Sequence, residues 1–266
     1  MQVLSKTKSA TTIKISGNLV VKTYSNTVPL EISKNFILKY IAVSKHIDCL
    51  PEVVKYNEKT ITTKYETHIP FWRYVLSSPN NLNKLVKKFI DIQFLINSTQ
   101  IVDSSLVGGQ AYLKDMILST KIISEQSKML LIKNCFNKNE KFLVHGDYTF
   151  NNVLIKKDGS LKIIDWDTSL IFHPLFDFFN TYYIYSKDRR MSVLKPLESI
   201  FHIFLAKKIK KEFFKRVEYS KEEKLYYSLL SLVFRFEVEK KESIKVNQNL
   251  LKRIRKEEES IFLLTI

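Results

Sequence analysis

The sequence predicts an α+β chain folded as two lobes, a small β-rich lobe followed by a larger, mainly helical one. Three observations carry this. Short runs of β-branched residues, punctuated by turn residues, recur within the first 64 positions, as the strands of a small sheet require. From Asn80 onward apolar residues recur at helical spacing. Between helical stretches a polar cluster, His145-Gly-Asp-Tyr-Thr-Phe-Asn-Asn152 with Ile163-Ile-Asp-Trp-Asp167, brackets one strong hairpin signal. A chain of 266 residues exceeds what a single core usually supports, whereas two lobes sharing a cleft suit that length. The division falls between residues 1–68 and 69–266.

The first lobe reads in order. Thr11-Thr-Ile-Lys-Ile15 and Asn18-Leu-Val-Val-Lys-Thr-Tyr24 predict two strands joined at Gly17. A helix follows from Pro29 to Val43, with Glu31 near its start. Glu52 to Tyr56 and Thr60 to Lys64 predict a second hairpin around Asn57 to Lys59. Its exit, Lys64 to Thr67, is then the strap between the lobes, and the lobe boundary falls near His68 to Trp72.

In the second lobe Leu82, Leu85, Val86, Phe89, Ile92 and Phe94 lie on an amphipathic helix. Another helical pattern runs from Gln110 to Asn137, and more occupy Phe176 to Ile261. The aromatic block Phe176, Phe178, Phe179, Tyr182, Tyr183 and Tyr185 reads as a core helix. The central hairpin turns at Asp158-Gly159, flanked by Val153 to Lys157 and Ser160 to Ile164. A two-residue turn would pair Lys157 with Ser160 and bring Asn152 opposite Asp165. A carboxamide and a carboxylate oxygen would meet there, a site suited to Mg²⁺. Asp147, one loop earlier, can accept the proton of a hydroxyl. Together these are the polar groups that phosphoryl transfer uses.

The pattern His145-Gly-Asp147, Asn152 five residues on, and Ile164-Asp165-Trp-Asp167 resembles the aminoglycoside phosphotransferase and choline kinase group, relatives of the protein kinases. His173-Pro-Leu-Phe-Asp177 is similar to the segment that follows in that family. The resemblance implies a bilobal protein kinase-like fold and a kinase using ATP and Mg²⁺. Asp147 would be the base, and Asn152 and Asp165 the metal ligands. Asp177 would brace the catalytic loop, and His145 would pack beside the metal motif as a structural residue. Asp167 has two readings, a second metal or acceptor contact, or a cap. Upstream, Lys22 would reach the α and β phosphates and Glu31 would hold it by an ion pair. Lys64, Tyr65 and Glu66 would bind the adenine edge through their backbone. The phosphate-covering loop would be Ser5 to Ala10, which contains no glycine, unlike that of protein kinases.

Charge narrows the partners. The formal net charge of +16 favours anions and repels a polycation such as an aminoglycoside. The expected acceptor is therefore a small molecule or glycan, foremost a sugar of a cell-surface glycan or lipopolysaccharide. Choline or ethanolamine, held by an aromatic cage, is the alternative, and a pseudokinase binding module is a third reading. The basic stretch from Lys207 to Lys256 would allow peripheral contact with an anionic membrane, while no recognition motif points to a specific nucleic acid. Met1 to Lys6 lacks the apolar core of a signal peptide and no apolar run reaches transmembrane length, so a cytoplasmic location is expected. Cys49 and Cys135 show no metal-ligand spacing and suit a reducing compartment.

Overall fold

A computed structural model describes residues 2–6, 11–65, 68–101, 103–136, 142–156, 158–185, 196–241 and 248–265. The small lobe is a five-stranded antiparallel sheet in the order β1-β2-β3-β5-β4. Its strands are β1 (Gln2–Lys6), β2 (Thr11–Ser16), β3 (Leu19–Tyr24), β4 (Val53–Tyr56) and β5 (Thr60–Lys64), and helix α1 (Leu30–Ser44) follows β3. The β2–β3 hairpin closes as its residues predict: Ser16 pairs with Leu19, and Gly17 supplies the left-handed backbone, φ 58°, that the tight turn needs. Strand β1 had no counterpart among the sequence expectations, because five residues without clean alternation carry little signal. Of the expected loop Ser5 to Ala10, Ser5 and Lys6 end β1, and residues 7–10 lie outside the described residues.

Strand β6 (Ile69–Pro70) leaves the small sheet and joins the central hairpin, β8 (Val153–Ile155) and β9 (Leu161–Ile163), in a three-stranded sheet of order β6-β8-β9. A short ladder of β7 (Leu143–Val144) with β10 (Leu170–Ile171) flanks it. Around these lie α2 (Phe71–Ser77), α3 (Leu82–Ser98), α4 (Ser104–Ser119), α5 (Glu125–Cys135), α6 (Pro174–Ile184), α7 (Pro196–Arg216), α8 (Lys221–Lys241) and α9 (Gln248–Thr265). Helix α3 buries Leu85, Val86, Phe89, Ile90, Gln93, Ile96 and Asn97, the three-four repeat of one helical face. The single helix expected from Gln110 to Asn137 is instead two. Ser124 accepts the Ser127 N–H and so caps a new start for α5, while Asn137 lies outside the described residues.

Among the described residues two apolar cores result. The larger fills the helical lobe and includes Phe89, Phe150, Phe176, Phe178 and Phe213; the smaller packs Tyr24, Val28, Ile37 and Ile61 between sheet and α1. The aromatic block of α6 is core, with only Tyr182 partly exposed.

Candidate active site

The catalytic loop is shaped by one glycine and one helix. Gly146 adopts φ 77°, and a Cβ there would stand 2.2 Å from the Thr168 carbonyl oxygen, so any other residue clashes. Helix α6 begins with His173 as cap, accepting the Leu175 N–H at 3.2 Å, and Pro174 in its first turn. Its buried Asp177, Asn180 and Thr181 are three and four residues apart and share one face. Asp177 accepts N–H bonds from His145 (3.0 Å) and Gly146 (2.9 Å). Asn180 donates to the Gly146 carbonyl and Thr181 to that of Tyr148. The helix thus pairs the N–H groups of His145 and Gly146 and the carbonyls of Gly146 and Tyr148, buried groups that need partners. Burial pushes the Asp177 carboxyl up to about 7 against the pull of these N–H donors.

His145 is fully buried, its ring 4.5 Å from that of Trp166. Its Nδ1 accepts the Asp147 N–H at 3.2 Å, so Nε2 carries the proton given to the Ile164 carbonyl at 3.0 Å. Burial lowers its pKa, and the imidazole is a neutral spacer beneath Asp147 and Asp165. That is where the sequence placed it.

Asp147 is one-quarter exposed and both its oxygens are engaged. Oδ2 accepts the Asn152 amide at 2.9 Å, and Oδ1 pairs with the Arg235 guanidinium, which reaches in from α8. Anchoring its nitrogen on Asp147 turns the oxygen of the Asn152 amide to the opposite side.

The hairpin register differs from the expected one by one residue. Lys157 lies outside the described residues, but Val153 faces Ile163 and Ile155 faces Leu161. Asn152 is therefore level with Ile164, whose N–H it accepts at 3.0 Å, and not with Asp165. The reason is the turn. Gly159, φ 80°, donates to Lys156 at 2.9 Å, and Lys156 pairs with Ser160, so the loop is one residue longer than Asp158-Gly159 alone. Asp165 follows with φ 66°, a left-handed backbone that ends the strand.

Lys22 answers from the small lobe. Its ammonium lies 2.8 Å from Asp165 Oδ1 and 2.7 Å from Asp167 Oδ2, while the Tyr24 hydroxyl donates to Asp167 Oδ1 at 2.8 Å. Burial pulls the Lys22 pKa down, but the charges of Asp167 and Asp165 outweigh it and raise it. Burial likewise raises Asp165, but Lys22 reverses it and holds the carboxyl low. Burial raises Asp167.

The expected Lys22–Glu31 pair does not form. Glu31 lies at the exposed start of α1, and Asp167 holds the ammonium in its place. The cation that α1 does turn inward is Lys39, its pKa lowered by burial despite the field of Asp167. At the strap, the Lys64 N–H goes to Glu52 (2.8 Å) and that of Tyr65 to Asn18 (2.6 Å), so neither is open to an adenine; Glu66 lies outside the described residues.

As a metal site, Asn152 and Asp165 offer two hard oxygens. Among the described residues no three His, Cys, Asp or Glu side chains form a cage. A set this sparse suits a cation that keeps water and phosphate ligands, as Mg²⁺ does.

Sequence reading missed Asn180, Thr181 and Arg235. Each left a signal: the first two are polar positions at helical spacing in an aromatic helix, and Arg235 is a lone charge in the apolar run Leu229 to Phe236.

The fold is protein kinase-like, and the site within it carries the groups of a phosphotransferase. Residues 125–205, which hold the catalytic loop, the hairpin and α6, match the model of the phosphotransferase enzyme family. The choline kinase LicA from Streptococcus pneumoniae superposes with TM-score 0.61 at 14% identity, over 94% of this chain and 90% of that one. A thermostable mutant of aminoglycoside phosphotransferase APH(4)-Ia gives 0.64 at 13%, over 99% and 94%, and ADP-bound aminoglycoside phosphotransferase APH(2'')-Ib gives 0.61 at 15%, over 95% and 93%. These likenesses show the shared fold. No curated protein matches the sequence.

Proposed function

We propose that the protein transfers the γ-phosphoryl group of ATP, with Mg²⁺, to a hydroxyl of a non-protein acceptor, a sugar of a cell-surface glycan or lipopolysaccharide. The observation that carries this reading is the meeting of Lys22 with Asp165 beside the Asp147–Asn152 pair. Lys22 aligns the phosphates of ATP, and Asp147 orients the acceptor hydroxyl and takes its proton. The hydroxyl oxygen bonds to the γ-phosphorus as the bond to the bridging oxygen breaks, and ADP leaves with that electron pair. Magnesium held by Asn152 and Asp165 would neutralise charge on the phosphates. Asp167 and Tyr24 hold Lys22 in place, and Asp177, Asn180 and His145 fix the loop that carries Asp147.

The net charge of +16 supports an acidic acceptor over a polycation. Exposed Lys207, Lys211, Lys252, Arg255 and Lys256 on α7 and α9 support peripheral attraction to an anionic membrane from the cytoplasmic side. Such contact would be electrostatic, because Leu250, Ile254 and Ile261 of α9 are buried in the core. No helix among the described residues is long and apolar enough to cross a membrane.

The test is transfer of label from γ-labelled ATP into envelope glycolipid and into soluble metabolites, with Asp147→Asn as control. Label in the glycan or lipid fraction that vanishes in the variant establishes the reading. Label confined to choline or ethanolamine replaces the acceptor, and no variant-sensitive label replaces the activity with nucleotide-gated binding.

A further inference from the structure

Arg235 stands at Asp147 although it lies beyond the segment that the family model matches. It projects from α8, which packs along α6, and its side chain is only 12% exposed. One terminal N–H meets Asp147 Oδ1 and Nε–H meets the Asn180 oxygen. A guanidinium has five N–H donors in a planar fork, so these contacts leave three. The two sides of Asp147 are therefore distinct. Oδ2 faces Asn152 and the hairpin that leads to Asp165 and Lys22, the side that the kinase reading gives to the nucleotide. Oδ1 faces the helical lobe, and there a cation stands ready.

A nearly buried guanidinium with donors to spare is the group best matched to a planar or tetrahedral oxyanion, which it binds through two parallel N–H bonds. We propose that Arg235 is an acceptor-binding residue, and that the acceptor is an alcohol bearing a phosphate or carboxylate within a few bonds of the hydroxyl to be phosphorylated. This rests on the kinase reading above and narrows its acceptor. The acceptor's anion takes the remaining N–H donors while its hydroxyl donates to Asp147, so one contact network sets both charge preference and the angle of attack. A quaternary ammonium or a protonated amine placed beside Asp147 meets a like charge here, an arrangement that selects against it.

The test uses the full chain with Mg²⁺ and a non-hydrolysable ATP analogue, and four small probes that differ in charge: glycerol 3-phosphate, glycerate, glycerol and choline. Calorimetry should show the two anions binding roughly tenfold or more tighter than glycerol, and choline not at all, since each charge-assisted hydrogen bond is worth about a factor of ten or more. Arg235→Leu should erase the difference between anion and glycerol, and Arg235→Lys should keep part of it. The charge series on the unaltered chain decides the matter even if Arg235→Leu fails to fold. Choline or glycerol binding as tightly as the anions overturns the proposal, as does binding of none of the four. Loss of affinity for the ATP analogue in Arg235→Leu, with anion binding intact, also overturns it. Turnover of ATP that depends on Asp147 is measured beside these. If it persists while the anions fail to bind, the acceptor class is wrong and the kinase reading stands; if it is absent, the kinase reading itself has failed.

Discussion

The Lys22 ammonium sits 2.8 Å from the Asp165 carboxylate across 143 residues of sequence, and 2.7 Å from Asp167, so a single cation ties the small sheet to the end of the catalytic hairpin. Burial of an ammonium between two carboxylates is favourable only because all three meet in one place.

From this clamp, Asp167→Asn should raise the KM for ATP roughly tenfold with little change in kcat, since an amide offers one oxygen to a site that serves both Lys22 and Tyr24. Lys22→Met should cost more, and Glu31→Ala less than about twofold, because exposed charges without a fixed partner contribute little. Steady-state kinetics with varied ATP checks all three. A large effect at Glu31 would mean that α1 turns on binding nucleotide.

Asp147 and Asp165 should separate kinetically. Asp147→Asn is expected to lower kcat by about 10²–10⁴ while nucleotide affinity holds, the span of a lost general base. Asp165→Asn should weaken binding of Mg·ATP itself. Equal, small losses from both would remove the catalytic assignment.

Gly146→Ala should destabilise the fold by more than ~2 kcal/mol, because the left-handed backbone alone costs a side chain ~1–2 kcal/mol. To that is added a contact of 2.2 Å with the Thr168 carbonyl. Urea unfolding measures it. Gly159→Ala, also at positive φ but with no atom within 4 Å, should cost only the backbone part.

His145 predicts acid sensitivity. Its pKa is lowered in the folded state by burial, so the unfolded chain binds the proton first. Its contribution is present above the ordinary histidine range and is lost as pH falls below about 6.5, at no more than ~1.4 kcal/mol per pH unit. His145→Gln, which can still donate to Ile164, should be less stable at neutral pH and flatter between pH 7.5 and 5.5. An unchanged slope would show that the proton goes elsewhere.

Much of the site was legible because its residues lie close in sequence. Asp147, Asn152 and Asp165 share one loop and one hairpin, and Lys22 announces itself by its place in a β-branched strand. What failed was set by distance or by a single turn. The hairpin register depended on whether Gly159 closed a two- or a three-residue loop, and the dipeptide signal is the same for both. Glu31 lies near a helix start, which the sequence shows, whereas the face of α1 that turns inward is fixed by how the helix packs on Tyr24 and Ile61, a tertiary fact. Arg235 lies 88 residues from Asp147 and carries no local motif; only its apolar surroundings mark it.

Asp165 holds a conformation that glycine adopts freely and most side chains avoid, with φ 66°. Asp165→Ala and Asp165→Gly both take a carboxylate away from Lys22 and should both be inactive and less stable than the parent, but the glycine variant should lose about 1–2 kcal/mol less, because it alone fits the left-handed backbone. A substitution scan scored only by melting temperature, with no nucleotide and no acceptor in the tube, would then rank glycine above alanine at position 165, the reverse of the usual order and the mark of a backbone held for its carboxylate.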